Sequence, residues 1–269
     1  MAKKIQRIEN IQLGTASSLT RYGDKEDSLL ITRPETAKVS CQFTNNKLKA
    51  APVKLAIEHL SHSSNGEKAF LINAGNANAA TGSQGMRDVR FYCKEMASDL
   101  NLKKENIIPF STGVIGEAFP LDNYLNAFRE AKSKLSGKNW LKAANAILTT
   151  DTKPKIISKQ VKIEKEIYSI TGFAKGSGMI RPDFATLLSF VFVDAKVNQR
   201  SLNKIHADAL DVSFNAITVD GDTSPNDSSV LVVNGNENKS IKPNSKTEKK
   251  FAQYIKEIFK ELAELLIED

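Results

Sequence analysis

Residues 175–195 read KGSGMIRPDFATLLSFVFVDA, and this stretch decides how the rest of the chain is understood. A glycine-bearing loop runs into Ala185 and Thr186, and a strongly apolar run follows at once. A hydroxyl on the first residue of a buried strand calls for an explanation. Threonine is a weak nucleophile unless a base lies beside it. Cutting the peptide bond before it frees an α-amine of pKa about 8 within reach of the hydroxyl, with no histidine required. Small Ala185 leaves room for the hydroxyl to attack the carbonyl of its own upstream bond. The KGSG segment permits the strained turn that this attack needs. Lys175 would bring a positive charge to the same place. A plain threonine on a buried strand is the competing reading, and these residues alone leave both open.

Outward from that stretch, the bulk composition sets limits. The chain has 269 residues, 41% of them hydrophobic and 26% charged. That is the balance of a soluble globular protein with one large domain or two ordinary ones. The net charge is +7, but the basic residues are scattered rather than gathered on one element with aromatics between them. No nucleic-acid partner is therefore expected, and the excess suits small carboxylate substrates. Cys41 and Cys93 show no CxxC spacing, which argues against a disulfide framework or a structural zinc site. Both are expected to be buried small hydrophobes in a reducing compartment. The N-terminus lacks the apolar core of a secretory signal, and no apolar run approaches the roughly 18 residues of a membrane span. A cytoplasmic protein without membrane contact is the expectation.

Strand and helix signals alternate irregularly along the chain. Strands are expected at 37–43, 68–75, 105–117, 187–197 and 228–235, with a hairpin over 155–176. Helical spacing appears at 88–102, 121–135, 139–148, 201–214 and 246–269, the last with Phe251, Ile255, Ile258, Leu262 and Leu265 as its apolar stripe. The absence of a regular βαβ rhythm favours an α+β fold with layered packing. A boundary is expected near 150–155, and the polar stretch 234–250 reads as a solvent loop.

The chemistry-bearing residues are few. His59, His62 and His206 are the whole histidine supply, with no HExxH frame, so they read as surface or helix-face residues rather than metal ligands. No metal site is expected, and no G-x-S-x-G elbow is present. NAGNANAATGSQG (73–85) is neither GxGxxG nor a P-loop and suits tight backbone packing. STGVIGE (111–117) follows an apolar strand, where backbone N–H groups can point at a developing oxyanion; a plain turn is the alternative. TTDTKPK (149–155) by itself is a turn rich in helix-capping residues.

Taken together and in order, FTNNKLKAAPV (43–53), NAGNANAATGSQG (73–85), STGVIGE (111–117), AILTTDTKPK (146–155), KGSGMIRPDFATLL (175–188) and SFNAITVDGDTSPND (213–227) resemble the ornithine acetyltransferase (glutamate N-acetyltransferase) family of arginine biosynthesis. The resemblance implies a layered α/β sandwich of the ornithine acetyltransferase/aminopeptidase-like type. It implies a precursor that cleaves itself between Ala185 and Thr186, giving an α chain of 1–185 and a β chain that begins at Thr186. Carried over, Thr186 is the nucleophile, Thr112 and Gly113 form the oxyanion hole, and Thr149, Lys175 and Thr186 bind substrate. The implied reaction is ping-pong transfer of acetyl from N-acetylornithine to glutamate, with no metal and no organic cofactor. Acetyl-CoA is a possible co-substrate, and an α2β2 heterotetramer is the implied assembly.

Several departures qualify the resemblance. Ala80 stands where the family usually has cysteine, which is expected to matter only for packing. Pro225 replaces a usual threonine, and Asp183 and Phe184 stand where Asn and Met are common, beside the scissile bond. The family's β chain continues past a helix ending like LLIED, with a segment beginning Gly-Glu-Gly-Ala-Thr-Lys that supplies substrate contacts. The sequence stops at Asp269, before that segment, so its substrate contacts are expected to be absent. An incomplete site, and an apolar face on the last helix that wants cover, are the resulting expectations. A self-processing aminopeptidase of related fold, or a non-catalytic fragment acting as a binding module, are the alternatives.

Overall fold

The structure is a computed structural model that describes residues 5–62, 66–179 and 187–269. Its strands are β1 (Gln12–Ala16), β2 (Ser28–Arg33), β3 (Lys38–Phe43), β4 (Lys68–Asn76), β5 (Ile107–Val114), β6 (Lys155–Ile163), β7 (Glu166–Lys175), β8 (Leu188–Val193) and β9 (Ser228–Val233). Its α-helices are α1 (Ala51–His62), α2 (Gly82–Leu100), α3 (Leu121–Ser133), α4 (Trp140–Ala146), α5 (Gln199–Asp211) and α6 (Lys246–Ile267). They group into two compact units. One holds Asn10–Glu35 and Asn45–Thr150; the other holds residues 5–9, Thr36–Thr44 and Asp151–Asp269. The long switch from one unit to the other thus falls between Thr150 and Asp151, within the span 150–155 where helix was expected to give way to strand.

The first unit is built on a four-stranded sheet ordered β1-β2-β4-β5. β1, β2 and β4 pair antiparallel, whereas β4 and β5 run parallel and are joined through α2. β4 is buried along its full length, as its central place in the sheet requires. α2 turns Val89, Tyr92, Cys93 and Met96 inward at i, i+3, i+4 and i+7, onto Leu30, Leu71 and Ile107 of the sheet and Phe128 of α3. The helix ends at Asn101, whose left-handed φ of 55° lets its N–H reach the Ala97 and Ser98 carbonyls. α3 crosses so close to β1 that a Cβ at Gly14 would lie 1.9 Å from the Ala131 carbonyl oxygen, so only glycine fits there.

The second unit carries a five-stranded sheet ordered β3-β9-β8-β7-β6. β8 and β9 are parallel and the other pairs antiparallel. The expected hairpin is β6–β7, turning at Glu164 with a φ of 57°. α6 starts at Ser245, whose hydroxyl accepts the Glu248 N–H, a helix-capping contact. Its apolar stripe packs on the sheet: Phe251, Ile255, Ile258, Phe259, Leu262, Ala263 and Leu266 are all buried in the core of this unit. The expectation that this face lacks cover is therefore wrong, and Leu265 is only partly buried while Leu266 takes its place. Stretch 234–250 is also less of a free loop than expected, since Ile241 is buried and Lys196 bridges to Ser240.

Three single-residue expectations also change, at Cys41, His59 and His206. Cys93 is buried, but Cys41 is half-buried on β3. His62 is exposed, but His59 is buried with Nδ1 2.7 Å from the Ile107 carbonyl oxygen. His206 on α5 is fully buried between Ser40 and Ser229, at 3.1 and 2.9 Å. Burial drives its pKa down to about 3, so it is a neutral core histidine.

Candidate active site

The candidate residues are divided between the two units. Thr112, Gly113 and Thr149 belong to the four-stranded unit, and Lys175 to the five-stranded one. Ala185 and Thr186 lie outside the described residues.

Thr112 and Gly113 stand at the carboxyl end of β5, where α/β sheets place ligands. Thr112 is opposite Ala74 and Gly113 opposite Gly75 on β4, and the register then breaks at Gly75 and Asn76 in a bulge. Gly113 has a φ of 133°, and a Cβ there would lie 2.3 Å from the Gly75 carbonyl carbon and 2.5 Å from the Asn76 nitrogen. No other residue fits without moving β4. The asparagines of 73–78 hold this bulge. Ser111 Oγ donates to Asn73 Oδ1 at 2.5 Å, and Asn73 Nδ2 donates to the Asn76 carbonyl at 2.7 Å. Asn76 Oδ1 accepts the Asn78 N–H at 2.8 Å, while Tyr124 OH donates to the Ala74 carbonyl at 2.8 Å. The glycines of STGVIGE marked this turn in the sequence, but the asparagine scaffold behind it was not assigned a role. Thr149 follows α4 and is half-buried. Lys25 Nζ fixes the preceding carbonyl, that of Leu148, at 3.1 Å.

Lys175 is the last residue of β7 and is 4% exposed. It lies opposite Leu188, the second residue after Thr186. Burial lowers its pKa, and the charges of Asp151 and Asp227 oppose that fall. Asp151 holds the start of the loop that follows Lys175: its Oδ1 accepts the Gly176 N–H at 2.7 Å and pairs with Lys155 Nζ at 2.5 Å. Burial disfavours the Asp151 anion, but Lys175, the Lys155 hydrogen bond and the Gly176 N–H outweigh it and keep its pKa below the ordinary value. Lys155 is itself fully buried, donates to the Gly176 carbonyl at 3.2 Å and also pairs with Asp269. On the other side, Asp227 Oδ1 accepts the N–H of Leu187 at 3.0 Å. Burial pushes the Asp227 carboxyl well above its ordinary range, and the Leu187 N–H and Lys175 offset only part of that. The cluster thus brings two buried cations, Lys155 and Lys175, and two buried carboxyls of opposite tendency close to the end of β7 and the strand end at Leu187. Sequence reasoning gave Asp151 and Asp227 no role, although they lie in two of the motifs that carry the family resemblance, 146–155 and 213–227.

Among the described residues no group of three His, Cys, Asp or Glu side chains could hold a metal ion, and no helix is long and apolar enough to cross a membrane.

The fold defines a class before any sequence likeness does. The l-aminopeptidase d-ala-esterase/amidase of Ochrobactrum anthropi, described as a variant of the ntn hydrolase fold, superposes with a TM-score of 0.53 over 96% of this chain and 84% of its own, at 10% identity. The α+β layered fold read from the sequence is thus the fold of these hydrolases. The sequence then narrows the class: residues 12–269 match the ArgJ family, and the chain belongs to that family. The arginine biosynthesis bifunctional protein ArgJ of Methylococcus capsulatus is 40% identical over 263 residues, 97% of this chain. This chain spans 64% of the length of that relative. The ornithine acetyltransferase of Mycobacterium tuberculosis, solved in complex with ornithine, superposes with a TM-score of 0.55 at 26% identity, over 67% of this chain and 93% of that chain.

Proposed function

We propose that the chain performs, or forms the catalytic portion of a protein that performs, acetyl transfer from N-acetylornithine to glutamate through an acetyl-threonine intermediate. The observation that carries this reading is the match to the ArgJ family across residues 12–269. Lys175 and its carboxyl neighbours at the strand end beside Leu187 support it. In the first stage the Thr186 hydroxyl attacks the Ala185 carbonyl, the Ala185–Thr186 amide becomes an ester, and water hydrolyses that ester. A free Thr186 α-amine results. In the second stage this amine takes the hydroxyl proton as Oγ attacks the acetyl carbonyl. Thr112 and Gly113 stabilise the oxyanion, a role worth about 3–4 kcal/mol per donor where it has been measured. The tetrahedral species collapses, ornithine leaves with the proton, and the acetyl group stays on Oγ. The amine of glutamate then attacks the ester, the threonine oxygen recovers its proton, and N-acetylglutamate departs.

Lys175 and Thr149 are the groups that would hold the substrate's α-carboxylate and amide. The net charge of +7 favours such anionic ligands. Acetyl-CoA as a second acetyl donor, cytoplasmic location and an α2β2 assembly of the cleaved chains belong to the same proposal. The test is incubation with N-acetyl-labelled N-acetylornithine, followed by peptide mass analysis. Label on the peptide that begins at Thr186, and its transfer to added glutamate, support the reading. Release of a free amino acid from an amino-terminal peptide substrate, without transfer, would favour an aminopeptidase instead.

A further inference from the structure

Asp227 precedes β9 and is 1% exposed. Its backbone continues the sheet: its carbonyl accepts the Thr44 N–H at 2.9 Å, and the next N–H, that of Ser228, donates to the Leu187 carbonyl at 3.0 Å. Its side chain adds a bond that a strand ladder does not supply, from Leu187 N–H to Oδ1 at 3.0 Å. That N–H is part of the peptide bond to Thr186. A peptide group is planar, so a clamp on this N–H is a clamp on the plane that carries the Thr186 Cα. Once the bond before Thr186 is cut, the bond to Leu187 is the residue's only covalent tether.

The choice of residue is costly. A buried carboxyl is an expensive acceptor for a strand-end amide. Ser224 and the Leu187 N–H hydrogen-bond to it and Lys175 lies near, yet burial still favours the protonated form. A structure that only needed the sheet closed could use a backbone carbonyl or a small residue here. On the acetyltransferase reading above, we propose that Asp227 is a positioning residue. It clamps the Leu187 amide so that both self-cleavage and acyl transfer take place on a fixed strand end.

Three chains test this: the parent, Asp227→Asn, which keeps an acceptor oxygen, and Asp227→Leu, which keeps the size and loses the acceptor. Self-cleavage of freshly made chain is followed by intact mass, and exchange of the Leu187 amide by hydrogen–deuterium exchange. A misplacement near 1 Å can cost about a hundredfold in rate. Asp227→Leu should therefore cleave at least about tenfold more slowly and exchange Leu187 at least about tenfold faster, with cooperative melting retained. Asp227→Asn should stay within about threefold of the parent on both. If Asp227→Leu does not fold, Asp227→Ser, too short to reach the amide, takes its place. Parental cleavage in the Leu variant, or an Asn variant as slow as the Leu variant, overturns the proposal. If the parent itself stays whole, the acetyltransferase reading fails separately, and exchange alone decides. Faster exchange in Leu but not Asn keeps the clamp, and equal exchange in all three removes it.

Discussion

Replacing Lys155 by Met should be among the most damaging single changes in the five-stranded unit. Lys155 is fully buried on β6, pairs with Asp151 at 2.5 Å and with Asp269, and donates to the Gly176 carbonyl. Methionine fills nearly the same volume, so little is lost in packing. What remains is the buried Asp151 carboxylate with only Lys175 to offset its charge, and removing one partner of a buried pair costs about 3–5 kcal/mol. A second route gives a similar figure. Asp151 can escape by taking a proton, and at pH 7 that costs about 1.4 kcal/mol for each unit above its ordinary value, or about 4 kcal/mol. The sign with pH follows. In the parent the Asp151 pKa is depressed, so its contribution is complete above the ordinary value of 3.8 and is lost only as pH falls through the lower folded value. Between pH 7 and pH 5 the parent pair therefore contributes equally, while protonation of Asp151 in the variant becomes about 3 kcal/mol cheaper. Urea unfolding at both pH values is the assay. The loss should be about 4 kcal/mol at pH 7 and clearly smaller at pH 5. A loss under about 1 kcal/mol at pH 7, or no narrowing, refutes the claim that these charges are buried and coupled.

Other outcomes follow from the same geometry. Gly113→Ala forces a Cβ to 2.3 Å from β4 at a φ that disfavours side chains, so it should lose at least about 2 kcal/mol in urea melts and abolish any acetyl transfer. Ala80 is exposed with a φ of 56°, a left-handed conformation that strains any residue carrying a Cβ. Ala80→Gly should raise stability by about 0.5–1 kcal/mol in the same melts. His206, with its pKa lowered to about 3, stays neutral in the folded chain while the unfolded chain takes up a proton below about 6.5. Stability should fall by at most about 1.4 kcal/mol per pH unit on this account as pH drops from 6.5 towards 3. Removing the ring in His206→Gln should remove that slope, as urea melts at pH 7 and pH 5 would show.

Where neighbouring residues carried the signal, the fold could be read from the sequence. β4, β5, β9 and the β6–β7 hairpin appear as apolar or alternating runs, and α2, α3, α5 and α6 as 3.6-residue stripes, with ends displaced by a few residues. α1 was missed: it follows a polar stretch, begins Ala51-Pro52, and its inner face includes the buried His59, which reads as polar. β1 and β2 were missed because β1 is short and contains Gly14, required by α3 rather than by the strand. The pairing of β3 with β9 joins residues some 190 apart, and nothing local encodes it. The candidate site divides the same way. Thr112, Gly113 and Lys175 stood out because glycines flank them. Asp227 did not, because its standing comes from burial and from a bond to Leu187, forty residues earlier.

The central claim is that Thr186 is a nucleophile made by cutting its own upstream bond. The most direct test is the intact mass, under denaturing conditions, of the purified chain beside its Thr186→Ala variant. The account predicts two fragments in the parent, 1–185 and 186–269, and one uncut chain in the variant. A parent that remains whole under native conditions, or a variant that is cut at the same bond, would contradict it.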